Sequence, residues 1–398
     1  MNVAGLKILF VIDALGVGGA ERSLADMLPG LARANIDARV VYFHRREANL
    51  EALFRARGAD LHFLNRRTLA GRVVALRRMI RSERPDVVHT TLFESNLIGR
   101  LASIGESPLV VTSLVNTPYD SIRRQNADVH PLKLATVRLI DGLTSRYLTH
   151  HFHAISEAVK SAAVETLHLA PERITTIERG RESASSPTMA QRHAARLRLG
   201  LSDADEVIVN VGRQEYQKGQ RYLIDAMASV VQRRPHAVLL IAGRAGYQSA
   251  TLEQTQSRIG LGSRVRLLGH RDDVPDVLAC ADVFVFPSLY EGLGGSLIEA
   301  MACGLPVVAS RIPATQCVVE ETRNALLVER GSVAPLADAL VDLLADAPRR
   351  AAFGQRSREI FEERFTLDRC TARMVDFYQR LTGHVAHLPA SQLAQEVP

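Results

Sequence analysis

What most constrains this chain is an alternation, sustained from end to end, of short β-rich, mostly apolar runs with amphipathic helical stretches. A run of Val, Ile and Leu without interruption describes a strand buried on both faces. That is the position of a parallel strand whose crossover helices cover the sheet above and below. In the first half such runs are Leu6–Ile12, Ala38–Phe43, Leu61–Leu64, Asp86–Thr90, Leu109–Val115, His151–Ile155 and Ile174–Ile177, with helical patterns such as Ala20–Ala34 and Leu69–Ser82 between them. The pattern lapses in the polar, Ser-rich stretch "RESASSPTMAQR", residues 181–192. It restarts with Val207–Val211, Ala237–Ala242, Val265–Leu268, Val283–Phe286, Val307–Ala309 and Ala325–Val328. At 398 residues the chain exceeds one ordinary core. The sequence therefore predicts two doubly wound, Rossmann-like α/β domains, 1–180 and 193–366, joined by a linker at 181–192, with parallel sheets facing across a cleft. A helix over 367–385 is expected to pack back toward the first domain, with a tail at 386–398. Open parallel sheets bind ligands outside the carboxyl ends of their strands, so the loops there are where a site is sought.

Charge is unevenly spread: residues 1–180 hold 24 Lys/Arg against 18 Asp/Glu, and 181–398 hold 25 against 25. Much of the excess lies in Arg66, Arg67, Arg72, Arg77, Arg78, Arg81 and Arg84. Such a face attracts anionic lipid or phosphate, unless it is simply the solvated side of a helix. Nucleic acid is not indicated, because Trp is absent, aromatic residues make up 5% and no basic and aromatic residues interleave. Cys280, Cys303, Cys317 and Cys370 show no CxxC spacing and read as reduced core thiols of a cytoplasmic protein. The opening "LKILFVIDALGVGG" is broken by Asp13, has no basic region before Lys7, and fits a buried strand better than a signal peptide. No run of 18 apolar residues is present, which leaves a peripheral position on the inner membrane face as the expected kind of membrane contact.

Three strand-end loops carry chemistry. In "DALGVGGAERSL", Gly16, Gly18 and Gly19 lead into a helix whose free amides favour a negative group or a close-lying ligand. A dinucleotide fingerprint fails there because Glu21 stands where Gly or Ala is needed. Arg45 and Arg46, at the end of the second strand, keep an NADP reading open. In "VIVNVGRQEYQKGQRYLIDAM", Arg213 and Lys218 follow the strand among glycines and form a cation pair suited to a diphosphate. In "SLYEGLGGSLIEAMACGLPVV", Gly294, Gly295 and Ser296 would expose amides at a helix start, with the helix expected from Ser296 to Gly304. Ser296-x-x-Glu299 there has the form of a capping box. Glu291 has no such local role, and a carboxylate in a glycine-rich loop at a cleft suits the hydroxyls of a sugar.

With these segments in view, the chain resembles the family 4 retaining glycosyltransferases of the GT-B fold, which use nucleotide-sugar donors. The matching stretches are "GVGGAE", "VGRQEYQKGQRYLIDA", "VRLLGHRDDVPDVLACADVFVFPSLYEGLGGSLIEAMACGLPVVAS" and "NALLVE", dense over Val207–Val328 and looser before it. The resemblance implies that Arg213 and Lys218 hold the donor diphosphate and that Glu291 touches the donor sugar near the reacting centre. Glu299 would bind the nucleotide ribose, and the amides of Gly294, Gly295, Ser296 and Leu297 the sugar or phosphate. Gly18 and Gly19 would let the first loop approach the donor, and the backbone at His270 and Arg271 would meet the base. It implies neither cofactor nor metal, and a glycan or lipid-linked acceptor. Two departures stand out. Val115, in "TSLVNTPYD", occupies the place of the family's donor-sugar histidine, which leaves Asn116 or Tyr119 for that contact. Arg179, in "ERGRE", stands where the family has Asn. His89, His151 and His153 sit in apolar strand ends and read as packed groups. The competing readings are a nucleotide-sugar epimerase of the same architecture, an NADP-dependent oxidoreductase and a non-catalytic binding subunit.

Overall fold

A computed structural model describes residues 5–125, 130–183 and 186–383. Seven strands, β1 (Leu6–Ala14), β2 (Ile36–His44), β3 (Asp60–Phe63), β4 (Val87–Thr91), β5 (Leu109–Leu114), β6 (His151–Ala154) and β7 (Ile174–Thr176), form one parallel sheet in the order β3-β2-β1-β4-β5-β6-β7. A second sheet holds β8 (Glu206–Val211), β9 (Ala237–Ala242), β10 (Val265–Gly269), β11 (Val283–Phe286), β12 (Val307–Ser310) and β13 (Ala325–Val328), in the order β10-β9-β8-β11-β12-β13. Every pairing between adjacent strands is parallel. Each sheet reverses its winding direction beside its first strand, between β1 and β4 and between β8 and β11, and a crevice opens at such points. The apolar runs explain the order: all six residues of β9 and all four of β11 are buried, which only a sheet covered on both faces allows.

The two halves meet in a continuous apolar cluster. Ile155, Val159 and Leu167 of the first pack with Phe284, Leu293, Leu297 and Phe365 of the second. The chain crosses between the halves twice at one place. Arg181 bridges in parallel to Thr366, with the Arg181 amide donating to Phe365 and the Leu367 amide donating to Arg181. The last helix, Leu367–Thr382, then lies against the helix Gly19–Arg33, and its Met374, Phe377 and Tyr378 enter the core of the first sheet. A helix already begins at Met189, within the stretch read as linker, capped by a reciprocal Thr188–Gln191 box. The tail lies outside the described residues.

Tyr378 anchors that helix through a buried chain of hydrogen bonds. His153 Nε2 lies 2.9 Å from the Ile177 carbonyl, so it must donate, and its Nδ1 accepts from Ser113 Oγ at 3.1 Å. Ser113 Oγ in turn accepts from His89 Nε2 at 2.8 Å, and His89 Nδ1 accepts from Tyr378 Oη at 2.6 Å. The order is self-consistent only with both imidazoles neutral. Burial depresses both, His89 well below the usual histidine range and His153 to about 4. In the unfolded chain each binds a proton near pH ~6.5, so stability is complete above that value and falls as pH drops toward 4. Urea unfolding should show a loss of about 2 kcal/mol between pH 7 and pH 5 from His153 alone. His153→Gln, which retains a donor, should flatten that slope; an unchanged slope would remove His153 as its source.

Candidate active site

The end of β8 is fixed by buried amides. Asn210 Nδ2 donates to the Val285 carbonyl at 2.9 Å, and Gln220 Nε2 donates to Asn210 Oδ1 and to the Gly212 carbonyl, each at 2.9 Å. These bonds set where β8 releases Arg213 and where the helix Gln220–Arg233 begins. The Leu289 amide donates to the Gln217 carbonyl at 2.8 Å, tying this loop to the one after β11. Lys218 thereby reaches Glu291: its Nζ pairs with Glu291 Oε1, which also accepts from Ser288 Oγ at 3.1 Å. The ammonium lies 5.7 Å from the centre of the Phe286 ring. Arg213 is exposed, and Gly212 before it lies against the Lys218 stem, a Cβ there standing 3.3 Å from Lys218 Cδ.

The glycine-rich turn is built differently from the capping-box reading. Gly294 has φ 95°, a left-handed conformation that favours glycine, and the helix runs from Gly295 to Ala302. Ser296 Oγ donates to the Val211 carbonyl at 2.8 Å, locking the helix start to the end of β8, and no side chain caps this helix. Glu299 is instead held by Arg181, whose Nε donates to its Oε1 at 2.8 Å. Arg181 Nη1 also donates to Ser23 Oγ, on the first helix, at 3.0 Å. The guanidinium lies so close over Gly295 that a Cβ there would overlap Nη2. A cation at the positive end of a helix dipole is electrostatically out of place until an anion joins it. Arg181 escaped the sequence reading, which took it as the first residue of the linker; the only signal was its neighbourhood, "ERGRE".

On the opposite side, Gly18 precedes the first helix and Glu21 folds back against it, leaving no room for a Cβ on Gly18, whereas Gly19 faces open space. Burial pushes the Glu21 carboxyl up, and the charges of Arg179 and Arg213, one from each half, pull it down. Glu21 thus fills the helix-start position where a dinucleotide pyrophosphate would need amides, which removes the structural basis of the NADP reading. Arg45 lies 4.6 Å over the Phe63 ring. Burial and the Arg181 charge lower Arg179 to about 10.

Val115 meets Gly292 backbone to backbone: a Cβ on Gly292 would overlap the Val115 carbonyl oxygen, and Ser156 Oγ donates to the Gly292 carbonyl at 2.5 Å. Asn116 Oδ1 accepts from the Thr117 amide at 2.8 Å. Tyr119 stands on the same stretch, its hydroxyl engaged within the first domain. Its hydroxyl donates to Asp141 Oδ2 at 2.9 Å, joining the buried Arg100–Asp141 pair, and burial beside that carboxylate raises it far above the tyrosine range. His270 and Arg271 follow β10 on the same sheet edge, paired with Asp272 and Asp273.

A cavity of about 1380 Å³ opens between the halves, lined among others by Asn96, Asn116, Tyr119, Tyr290, Glu291 and Arg330. Arg213, Lys218 and Glu299 are not part of its wall; of the four charged groups singled out, Glu291 alone faces it. Glu291 therefore links the cavity wall to Lys218 and the loop after β8. Among the described residues no group of three or more His, Cys, Asp or Glu gathers as for a metal ion.

Two Rossmann-like parallel-sheet domains with cations and acids at the carboxyl ends of their strands form the GT-B architecture. The comparisons agree: Glycosyltransferase Family 4 matches residues 17–184 and Glycosyl transferases group 1 matches residues 205–346. The chain belongs to the family 4 glycosyltransferases and is a glycosyltransferase that uses a nucleotide sugar. It is 30% identical over 364 residues to the 2-deoxystreptamine N-acetyl-D-glucosaminyltransferase of Streptomyces fradiae, covering 86% of this chain and 83% of that one. It is 27% identical over 278 residues to the UDP-Gal:alpha-D-GlcNAc-diphosphoundecaprenol alpha-1,3-galactosyltransferase of Escherichia coli, covering 69% and 70%. Anabaena Alr3699/HepE, solved in complex with UDP, shares the fold with a TM-score of 0.82 at 22% identity, covering 94% of this chain and 100% of that one.

Proposed function

We propose that this protein is a retaining, metal-independent transferase moving a sugar from a nucleoside diphosphate to a hydroxyl of a glycan or lipid-linked acceptor at the cytoplasmic face of a membrane. The observation that carries the reading is the Lys218–Glu291 contact at the mouth of the large cavity, with Arg213 exposed in the loop that carries Lys218. In this reading Lys218 and Arg213 take the donor diphosphate and Glu291 takes sugar hydroxyls. Glu299 holds the ribose, and the amides of Gly294, Gly295, Ser296 and Leu297 complete the cradle, with Gly18 and Gly19 opposite and the base near His270 and Arg271. The Lys218–Glu291 pair stands in for both ligand parts: the ammonium turns to phosphate and the carboxylate to the sugar when donor enters. Asn116 and Tyr119, both on the cavity wall, are the side-chain candidates where the family has its histidine.

The bond between the anomeric carbon and the phosphate oxygen breaks toward an oxocarbenium-like state, and negative charge builds on the diphosphate. The two cations and the helix-start amides stabilise that charge more in the transition state than before it. The acceptor hydroxyl, held in the cavity, attacks on the same face and passes its proton to the departing phosphate. The contact of Gly292 with Val115 and Ser156 shuts the two halves over the reacting centre and limits hydrolysis.

Incubation with UDP-, GDP- and ADP-sugars, with and without octyl glycosides, tests this reading. Transfer with retained anomeric configuration, unaffected by EDTA, is expected. Inversion, or loss of activity in EDTA restored by a divalent cation, refutes the corresponding part, and a new sugar formed from donor alone points to the epimerase.

Arg181→Met provides a further check. If the guanidinium over Gly295 holds Glu299 and adds to the phosphate cradle, UDP affinity should fall about tenfold, or about 1.4 kcal/mol. Tighter UDP binding in the variant, read by calorimetry, would instead make Arg181 an obstruction.

A further inference from the structure

The basic run predicted as a surface patch is largely engaged within the protein. In the helix Leu69–Glu83, Arg72 pairs with Glu94, Arg77 donates to the Leu101 and Ala102 carbonyls, and Arg81 pairs with Glu106. These arginines fasten that helix to its neighbour, Phe93–Ala102. A different element has one face that is exposed among the described residues. The helix Pro131–Leu148 exposes Leu132 (75%), Leu139 (60%), Leu143 (45%) and Tyr147 (78%). Their spacing of seven, four and four residues puts them on one stripe along the whole helix. Ile140 widens it, so five of the twelve large exposed hydrophobic residues among those described lie on this one helix.

Charge identifies what would cover the stripe. The helix carries Lys133, Arg138 and Arg146, and its single acid, Asp141, is buried against Arg100. Arg138 turns inward, its Nε donating to the Thr166 carbonyl at 2.8 Å, which leaves Lys133 and Arg146 as the charges of this helix beside the stripe. An apolar stripe with cations and no exposed acid on its own helix matches an anionic lipid surface, where Leu and Tyr enter the headgroup boundary and the long cationic stems reach phosphates. The inner side of the same helix, through Leu134, Val137, Arg138 and Asp141, forms part of the wall of the large cavity. The surface that would rest on lipid and the compartment assigned to the acceptor are therefore two sides of one helix.

We propose that the outward face of Pro131–Leu148 is the membrane-docking surface of this protein, seating it on an anionic bilayer so that a lipid-linked acceptor passes directly from the leaflet into the adjoining cavity. The inference rests on the transferase reading for the acceptor and names the surface that reading needs. Docking draws on both apolar burial and charge, so it weakens with salt without vanishing, unlike a purely electrostatic patch.

Co-sedimentation with vesicles of phosphatidylglycerol and phosphatidylethanolamine, against phosphatidylcholine alone, tests it on the full chain. The wild type should bind the anionic vesicles at least tenfold better, and part of that binding should survive 0.5 M salt, roughly a Debye length of 4 Å. The double variant Leu139→Glu, Leu143→Glu, altered only at exposed sites, should lose at least tenfold while keeping its thermal midpoint and its UDP affinity. Arg78→Glu with Arg84→Glu, on the other basic helix, should stay within twofold of wild type. Wild type that does not sediment, or a Leu139/Leu143 variant that sediments unchanged, overturns the proposal. So does a wild-type dimer that the variant converts to monomer without any vesicle binding, which would assign the stripe to a second copy. Failure of wild type to bind UDP, GDP or ADP would strike the donor reading instead and leave the docking result standing.

Discussion

Replacing Lys218 with alanine is expected to lower kcat about 100- to 1000-fold, a loss of about 3–4 kcal/mol of transition-state stabilisation, while donor affinity changes far less. The asymmetry follows from where charge appears: the diphosphate becomes more negative as the sugar departs, so a cation beside it is worth more then than at binding. Lys218 also balances Glu291, whose side chain is only 9% exposed. Alanine would leave that carboxylate buried and unpaired, a change that destabilises by itself. Two effects are thus superimposed, and Lys218→Met combined with Glu291→Gln separates them. The neutral pair should recover the thermal midpoint lost by the single variant while turnover stays low. Glu291→Gln alone should cripple transfer with the fold intact. Turnover within threefold of wild type in Lys218→Ala and Arg213→Ala would remove the diphosphate clamp, and an active Glu291→Gln would reassign that carboxylate.

Gly292→Ala is expected to reduce turnover about 100-fold by displacing one half against the other, although the new methyl group touches no proposed reacting atom. Val115 and Ile155 of the first half press on Gly292, the Val115 carbonyl oxygen at overlap distance from any Cβ and Ile155 Cδ1 at 3.0 Å. The Val115 oxygen belongs to the backbone and cannot rotate aside, so the interface must open. Glu291, next in sequence, would move with it out of register with the cavity. Ile155 and Leu293 beside the contact belong to the apolar cluster that joins the halves, so the thermal midpoint should fall somewhat, but the strands keep their own pairing, and UDP affinity should fall less than kcat. Small-angle scattering should record a larger radius of gyration. Unchanged dimensions with full activity would show that the contact is not needed for closure.

The family relationship sharpens the meaning of the chain's departures. At Val115 the side chain has no polar group to offer a sugar, and the backbone there is used for contact between the halves. At Arg179 and Arg181 two guanidinium groups crowd the crossing point, each reaching an element of the other segments: Arg179 lies near Gly19 and Glu21, and Arg181 spans Ser23 and Glu299. Both sit where movement between the halves would be felt. They bring charge to the hinge itself, where the cost of burying it is offset only while the acids stay within reach.

The sequence by itself determined the sheets. Ala237–Ala242 and Val283–Phe286 coincide residue for residue with fully buried strands, because an unbroken apolar run suits burial on both faces, and Ala325–Val328 coincides with the half-buried edge strand. It also located the glycine-rich loops at the strand ends, since turn chemistry is local. Tertiary structure decided the partners. Glu299 looked like half of a capping box four residues long, yet it binds Arg181, 118 positions away, and the left-handed turn at Gly294 starts its helix one residue early. His89 meets Tyr378 across 289 positions, and Tyr119, read as a sugar contact, spends its hydroxyl on Asp141. Arg72 and Arg77 of Leu69–Glu83 turned to the neighbouring helix, whereas the stripe on Pro131–Leu148 stays exposed among the described residues. Periodicity reports which side chains leave water. Which charge meets which, and which apolar face stays without a neighbour, depends on where distant segments are brought together, and no local pattern encodes that.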